Sequence, residues 1–305
     1  MIRVAVEPEC WRREALMRAV VAAGGEVSDP DSAEALVWAE PARADLLPPI
    51  LDDNPNIDWV QLPYAGIEPF LEMLRCHPSL TWTCGKGVYA APVAEHALAL
   101  ALAGFRGLSS YARADSWSEP HGKNLFGANV TILGGGGITE NLIPLLRPFN
   151  CKITVVRNHV KEMQHVTEIV TSQHLHSLLP STDLLVLALA LTPETIGIIG
   201  ATELALLPSE AWIVNVARGQ HIVTEHLVEA LQKKSIGGAA LDVTDPEPLP
   251  DDHPLWSLDN CLITPHIGNT PEMGLPLLAE RVTENVRRRI SGEKLIGPVD
   301  VDLGY

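Results

Sequence analysis

Aromatic residues are scarce in this chain, at 5% of 305 residues, and basic residues are few, 22 against 38 acidic, for a net charge of −16. An acidic balance of that size repels phosphate backbones and anionic membrane surfaces, and the densest basic cluster, Arg287-Arg288-Arg289, is short. Nucleic-acid and membrane-surface partners are therefore excluded. The five cysteines, Cys10, Cys76, Cys84, Cys151 and Cys261, are scattered and odd in number, with no CxxC pair. Neither a disulfide framework nor a zinc site fits them, and a reducing cytoplasmic setting does. Long apolar runs are missing too. Ala97 to Phe105 and Leu184 to Leu191 fall well short of the roughly 20 residues that span a bilayer. The opening MIRVAVEPEC lacks the charged, apolar, small-residue order of a secretory signal.

Apolar residues make up 46% of the chain, which excludes a disordered or fibrous protein. The length predicts two domains. Ala, Leu and Val supply most of the apolar content, the usual material of buried parallel sheets. Short aliphatic runs alternate with helical patterns: Arg3 to Val6 then Trp11 to Ala23, Ala35 to Trp38, and Trp59 to Leu62 then Pro69 to Cys76. Pro92 to Tyr111 reads as one long buried helix with Pro in its first turn, able to bridge two domains. A looser connecting segment, Arg113 to Asn129, follows it. The rhythm then restarts with strands at Val130–Leu133, Lys152–Val156, Leu184–Leu189, Trp212–Val216, Gly238–Leu241 and Cys261–Thr264. Six parallel strands with crossover helices make a doubly wound α/β sheet. A last helix, Met273 to Ile290, returns to the first domain and makes it discontinuous.

After the strand ending in VTIL come Gly134, Gly135, Gly136, Gly137 and Ile138. In a dinucleotide-binding turn Gly134 allows the tight bend, Gly136 admits a pyrophosphate, and the next helix offers free N–H groups; a flexible surface turn is the plain alternative. Thr139 stands where a third glycine would allow close helix–strand packing, and Pro144 removes a helix donor, so the loop is expected to be unusually shaped. Position 157, 23 residues on from Gly134, ends the next strand. An acid there would accept bonds from the ribose hydroxyls of NAD. Arg157 instead pairs with a 2′-phosphate, with Asn158, His159 and Lys161 beside it, and this favours NADP over NAD.

Three further segments each follow a predicted strand: Asn215-Val216-Ala217-Arg218-Gly219, Leu241-Asp242-Val243-Thr244-Asp245-Pro246-Glu247-Pro248 and Thr264-Pro265-His266-Ile267-Gly268. In an open α/β sheet the ligand crevice lies at the carboxyl ends of strands, where these side chains can converge. Taken singly, Arg218 also reads as an ion-pair partner, Glu247 as a solvated acid and His266 as a core histidine.

Together these segments resemble the D-isomer-specific 2-hydroxyacid dehydrogenases. The resemblance runs from about Gln61 to the last helix and includes Pro63-Tyr64-Ala65-Gly66, Gly87-Val88-Tyr89, Val93-Ala94-Glu95-His96, the Gly134 loop and Leu191-Thr192-Pro193-Glu194-Thr195. Arg218, Glu247 (29 residues on) and His266 (19 further) match the family's catalytic set in order and spacing. Arg157 makes the chain especially similar to the NADP-preferring glyoxylate/hydroxypyruvate reductase branch.

The resemblance implies a Rossmann nucleotide-binding domain over residues 96–284. It implies a smaller flavodoxin-like substrate-binding domain over 1–95 and 285–305. It further implies reduction of a small 2-keto acid to its D-2-hydroxy acid by NAD(P)H. Protonated His266 donates the proton, Glu247 raises its pKa and orients it, and Arg218 clamps the substrate carboxylate. Backbone N–H groups of Ala65 and Gly66 complete the carboxylate pocket. Tyr64, Tyr89 and Trp117, the last from a partner subunit, are candidates to shape it, and Lys86 reads either as a contact for a second anionic group or as an ordinary exposed lysine. Asp242 binds the nicotinamide carboxamide, while Pro193, Val216 and Ala217 line the cofactor. A homodimer follows from the same likeness. The alternative is a dinucleotide-sensing, corepressor-like binding protein with little turnover, which the unusual loop favours and the intact Arg218, Glu247 and His266 set disfavours.

Overall fold

The computed structural model describes residues 1–158 and 162–300, so His159 and Lys161 lie outside the described residues. The chain divides into two compact units, Met1–Tyr89 with the chain from Thr270 onward, and Ala90–Asn269.

In the first unit the elements run β1 (Arg3–Glu7), α1 (Arg13–Ala22), β2 (Glu26–Val27), β3 (Ala35–Trp38), α2 (Leu47–Asp53), β4 (Trp59–Gln61), α3 (Leu71–Cys76) and β5 (Thr81–Thr83). They form a five-stranded parallel sheet in the order β2-β1-β3-β4-β5, the flavodoxin-like order. Strand residues alternate between two cores. Leu36 and Trp38 pack with Phe70 and Leu74. Ala35 and Val37 pack on the other face with Leu16 and Val20 of α1 and with Leu278, Val282 and Val286 of the C-terminal helix. Both faces are covered, so the strand reads as an unbroken apolar run.

That C-terminal helix, Pro271–Ser291, opens at Thr270, whose hydroxyl accepts from the Met273 N–H at 3.3 Å, and closes at Gly292 with φ +68°. Asn285, fully buried, donates to Gln61 Oε1 at 2.8 Å and to the Ile296 carbonyl at 2.9 Å, and accepts from the Ile296 N–H at 2.8 Å. The helix thus packs on the first unit along its length, and the boundary falls at 269/270, not within it at 284/285. The three arginines near its end are paired: Arg287 and Arg288 with Glu284 and Glu293, and Arg289 with Asp58.

The second unit begins with α4 (Ala90–Phe105) and α5 (Leu108–Arg113). The single helix expected over Pro92 to Tyr111 is therefore two. Gly107 takes the left-handed conformation (φ +62°), and a Cβ there would stand 2.5 Å from His121 Nε2. Because α4 belongs wholly to this unit, the other boundary lies at 89/90 instead of 95/96. The chain continues through β6 (Asn129–Leu133), α6 (Gly137–Leu146), β7 (Lys152–Val156), β8 (Glu168–Val170), α7 (Leu175–Leu178), β9 (Leu184–Leu187), α8 (Ala201–Leu206), β10 (Trp212–Asn215), α9 (Thr224–Gln232), β11 (Gly238–Leu241) and β12 (Cys261–Ile263).

All seven strands are parallel, in the order β12-β11-β10-β9-β6-β7-β8. This is the doubly wound Rossmann arrangement, with β8 added as an edge strand to the six expected. Leu185 and Leu187 enter one core, and Leu184 and Val186 the other. The strand order reverses between β6 and β9, which sets the crevice of such a sheet at their carboxyl ends. Among the described residues no helix is long and apolar enough to cross a membrane.

Candidate active site

The glycine loop lies at that reversal point. Gly134 has φ +104°, and a Cβ on it would fall 2.2 Å from the Ala188 carbonyl oxygen beyond β9. Only glycine lets the two strand ends approach so closely. Gly136 caps α6, a Cβ there would meet nothing within 4 Å, and Gly137 begins the helix. The loop therefore leaves open space at Gly136 and ends in uncapped helix N–H groups, a cradle that fits a pyrophosphate. Ile138, half-buried, packs against the core.

The expected irregularity of the loop is not found. Thr139, fully buried, donates its hydroxyl to the Gly134 carbonyl at 2.7 Å, so the side chain that replaces a third glycine ties the turn to its helix. The helix also runs through Pro144, which faces solvent, to Leu146. Arg157, half-buried, folds over Gly135: an ideal Cβ on Gly135 would stand 2.7 Å from Arg157 Cδ, and Nη1 reaches Met163 Sδ at 3.7 Å. Asn158 beside it is exposed.

Beyond β10, Val216 and Ala217 are buried and Asn215 shapes the turn. Asn215 donates to the Arg218 carbonyl at 2.9 Å and accepts from the Ala217 N–H at 3.0 Å, which turns Arg218 out of the sheet. Gly219 is needed next, because a Cβ would lie 2.0 Å from the backbone of Thr244. The turn carrying Pro193 is exposed at Pro193 and closed by the Thr192 N–H donating to Thr195 Oγ1 at 2.8 Å. The fully buried His221 faces the carbonyls of Thr195 (3.0 Å) and Leu189 (3.3 Å) and so holds this turn against the segment after Arg218.

Asp242, 3% exposed, is the hub of the segment after β12. Its carboxylate accepts from Thr264 Oγ1 (2.6 Å) and from the N–H groups of Ile267 (2.9 Å) and Gly268 (2.8 Å), and it faces His96 Nε2 at 3.2 Å. Burial raises its pKa, but hydrogen bonds from His96, Thr264, Ile267 and Gly268 outweigh that and bring it down to about 2. Most of its acceptor capacity thus holds the segment that carries His266. The Gly268 N–H is the single donor on Oδ2 among the described residues, which leaves that oxygen acceptor capacity.

His266 takes the left-handed conformation, φ +55°, with its N–H shared between the carbonyls of Asp242 (2.8 Å) and Thr264 (3.0 Å). Its Nδ1 lies 2.6 Å from Glu247 Oε1. The hydrogen bond from this carboxylate raises the histidine pKa against the opposing pull of burial, and Glu247 is lowered in turn. The positive charge of Arg218 acts on both groups. Nδ1 is thus occupied and Nε2 is the nitrogen available to a ligand.

The remaining expected residues lie in the first unit. Tyr64, Ala65 and Gly66 follow β4, and the exposed Lys86 follows β5. Gly85 brings these loops together: its N–H donates to the Tyr64 carbonyl at 2.9 Å, and a Cβ would meet the Pro63 carbonyl at 2.6 Å. Arg281 of the C-terminal helix donates to the Cys84 and Lys86 carbonyls at 3.2 and 3.1 Å, which fixes the Lys86 loop.

Residues 96–268 match the family model described as D-isomer specific 2-hydroxyacid dehydrogenase, NAD binding domain. The chain is 30% identical over 286 residues to glyoxylate/hydroxypyruvate reductase A of Serratia proteamaculans, covering 89% of this chain and 87% of that one. Its fold superposes with a TM-score of 0.85 on a D-isomer specific 2-hydroxyacid dehydrogenase of Xanthobacter autotrophicus solved with NADPH, at 26% identity over 100% of this chain and 99% of that one. It superposes with a TM-score of 0.83 on the NADPH-dependent glyoxylate/hydroxypyruvate reductase of Sinorhizobium meliloti solved with NADP and sulfate, at 25% identity and full coverage of both chains. With its glycine cradle, its histidine–glutamate pair and these likenesses, the chain belongs to the D-isomer specific 2-hydroxyacid dehydrogenase family and is an NAD(P)-dependent oxidoreductase of that family.

Proposed function

We propose that this protein reduces a small 2-keto acid, glyoxylate or hydroxypyruvate, to the D-2-hydroxy acid, with NADPH preferred over NADH. The observation that carries the reading is the 2.6 Å contact between His266 Nδ1 and Glu247, under the charge of Arg218. The cofactor, when bound, supplies a hydride to the carbonyl carbon. Glu247 holds the imidazole protonated, and Nε2 gives its proton to the carbonyl oxygen as that oxygen becomes a hydroxyl. Arg218 binds the substrate carboxylate through its fork of donors and stabilises negative charge on the reacting oxygen. Ala65, Gly66, Tyr64 and Lys86 bind substrate, and Asp242 Oδ2 accepts from the nicotinamide carboxamide. Gly134, Gly136, Gly137, Ile138, Pro193, Val216 and Ala217 line the cofactor, and Arg157 with Asn158 binds its 2′-phosphate. The preference for NADP is supported by Arg157 lying directly over the glycine loop.

The test follows NADPH and NADH oxidation with a panel of 2-keto acids. Turnover with glyoxylate or hydroxypyruvate is expected, and His266→Ala should lose about 10²- to 10⁴-fold of it while binding NADPH unchanged. Normal turnover in His266→Ala would refute the acid assignment. Flat traces from a wild-type protein that binds NADPH would favour the dinucleotide sensor. A cytoplasmic homodimer belongs to the same proposal. The fully exposed Trp117 is its candidate contact with a second copy, and light scattering checks it.

A further inference from the structure

Three loops at the carboxyl end of the first unit's sheet hold a cluster in which Arg12 and Glu40, unused by the reaction above, meet Tyr64. Arg12 follows β1, Glu40 follows β3 and Tyr64 follows β4. β1 and β3 are the neighbours at which the order β2-β1-β3-β4-β5 reverses, the ligand position of an open parallel sheet. Arg12 is only 7% exposed. Its Nη1 donates to Glu40 Oε2 (3.2 Å) and to the Ala39 carbonyl (3.4 Å), and its Nη2 donates to the Tyr64 hydroxyl (3.2 Å). Glu40 offsets the buried charge, and Trp11 lies 4.7 Å from the guanidinium.

The two tyrosines of this face differ in where their protons go. Tyr89, edge-on to Tyr64 with centroids 5.7 Å apart, donates its hydroxyl to the Pro63 carbonyl at 2.7 Å. Arginine has no acceptor, so in the Arg12–Tyr64 bond the phenol oxygen accepts. The Tyr64 proton then has no acceptor among the described residues, and the half-exposed side chain can present it to a ligand. Arg12 fixes that direction and, as a cation, makes the phenol a stronger donor.

We propose that Arg12 positions Tyr64 to donate a hydrogen bond to an oxygen on C3 of the substrate, so that the pair selects hydroxypyruvate-like 2-keto acids over those with a methyl group there. The inference rests on the reductase reading, in which the Ala65 and Gly66 backbone meets the carboxylate. The phenol oxygen lies at the far end of the Tyr64 side chain, against Arg12, and is assigned the other end of a three-carbon acid. A site built to hydrogen-bond a substrate hydroxyl discriminates against an analogue that lacks it.

The experiment compares kcat/KM for hydroxypyruvate, pyruvate and glyoxylate in the wild type, Tyr64→Phe, Arg12→Met, the double variant and Arg12→Lys. Tyr64→Phe and Arg12→Met should each lower the hydroxypyruvate value, through KM, about tenfold more than they lower the values for pyruvate and glyoxylate. The double variant should be no worse than Tyr64→Phe, and Arg12→Lys should recover part of the loss. Equal losses on all three substrates, additive losses, or a wild type indifferent to the C3 hydroxyl would overturn the proposal. Should the wild type reduce none of them, the reductase reading fails. Calorimetric titration of D-glycerate and D-lactate into the NADP⁺-loaded protein then decides the selector by itself. Tighter binding of D-glycerate that Tyr64→Phe abolishes supports it, and equal or absent binding overturns it.

Discussion

Replacing Asp242 by Asn exchanges one oxygen for an NH₂ group at nearly constant volume, in a site where both carboxylate oxygens accept from backbone N–H groups. Oδ1 accepts from Thr264 (2.6 Å) and the Ile267 N–H (2.9 Å), and Oδ2 accepts from the Gly268 N–H (2.8 Å). Whichever way the amide is turned, its NH₂ meets at least one of these donors. The carboxylate is held at about 2 against an ordinary value of 3.8, because four donors outweigh the opposing effect of burial. That depression corresponds to roughly 2 kcal/mol of stability in a residue almost wholly buried. Leaving a donor unsatisfied adds about 1–3 kcal/mol. Asp242→Asn should therefore destabilise the second unit by about 2–5 kcal/mol at pH 7 and lower turnover, since the segment it holds carries His266. The sign with pH follows from the lowered pKa: the carboxylate contribution is complete above 3.8 and is lost as pH falls through about 2. Urea unfolding followed by circular dichroism at pH 7 and at stepwise lower pH is the assay. An unchanged midpoint at pH 7, or a gap that stays constant into strong acid, would refute the reasoning.

Glu247→Gln removes the carboxylate that raises His266, so the alkaline limb of the kcat/KM profile for keto-acid reduction should move to lower pH while NADPH affinity holds; superimposable profiles would count against the pair. Arg157→Asp places a negative charge beside the glycine loop and should reduce the NADPH over NADH preference by about 10- to 100-fold, read from the ratio of kcat/KM values. In Asn285→Ala the Ile296 N–H and carbonyl lose their buried partner, so the first unit should lose about 2–4 kcal/mol by thermal unfolding. Retention of the wild-type Tm would show that water or the chain beside Ile296 replaces the amide.

The strands of both sheets were legible where they are long and buried on both faces. Ala35–Trp38, Lys152–Val156 and Gly238–Leu241 have the expected bounds because continuous apolar runs are a local property. The strands not foreseen are short or lie at an edge: β2 has two residues, β5 reads Thr-Trp-Thr, and β8 is half-exposed at Ile169 and Val170. Their strand character comes from pairing with a neighbour and not from their own composition. The long helix likewise breaks at Gly107, which takes φ +62° beside His121 of the loop that follows α5.

The order and chemistry of Arg218, Glu247 and His266 were present in the sequence, since each follows a strand and residue type alone carries charge, fork geometry or a titratable ring. Tertiary structure decided which partner each side chain meets. It put Glu247 on His266, set His96 and Thr264 against Asp242, turned Thr139 from an apparent misfit into the tie of the glycine turn, and placed Arg12 behind Tyr64. Hydrogen bonds between residues 52 or 146 positions apart, as in Arg12–Tyr64 and His96–Asp242, depend on strand order. Strand order is set by how two cores close around a sheet, which no local pattern of residues records.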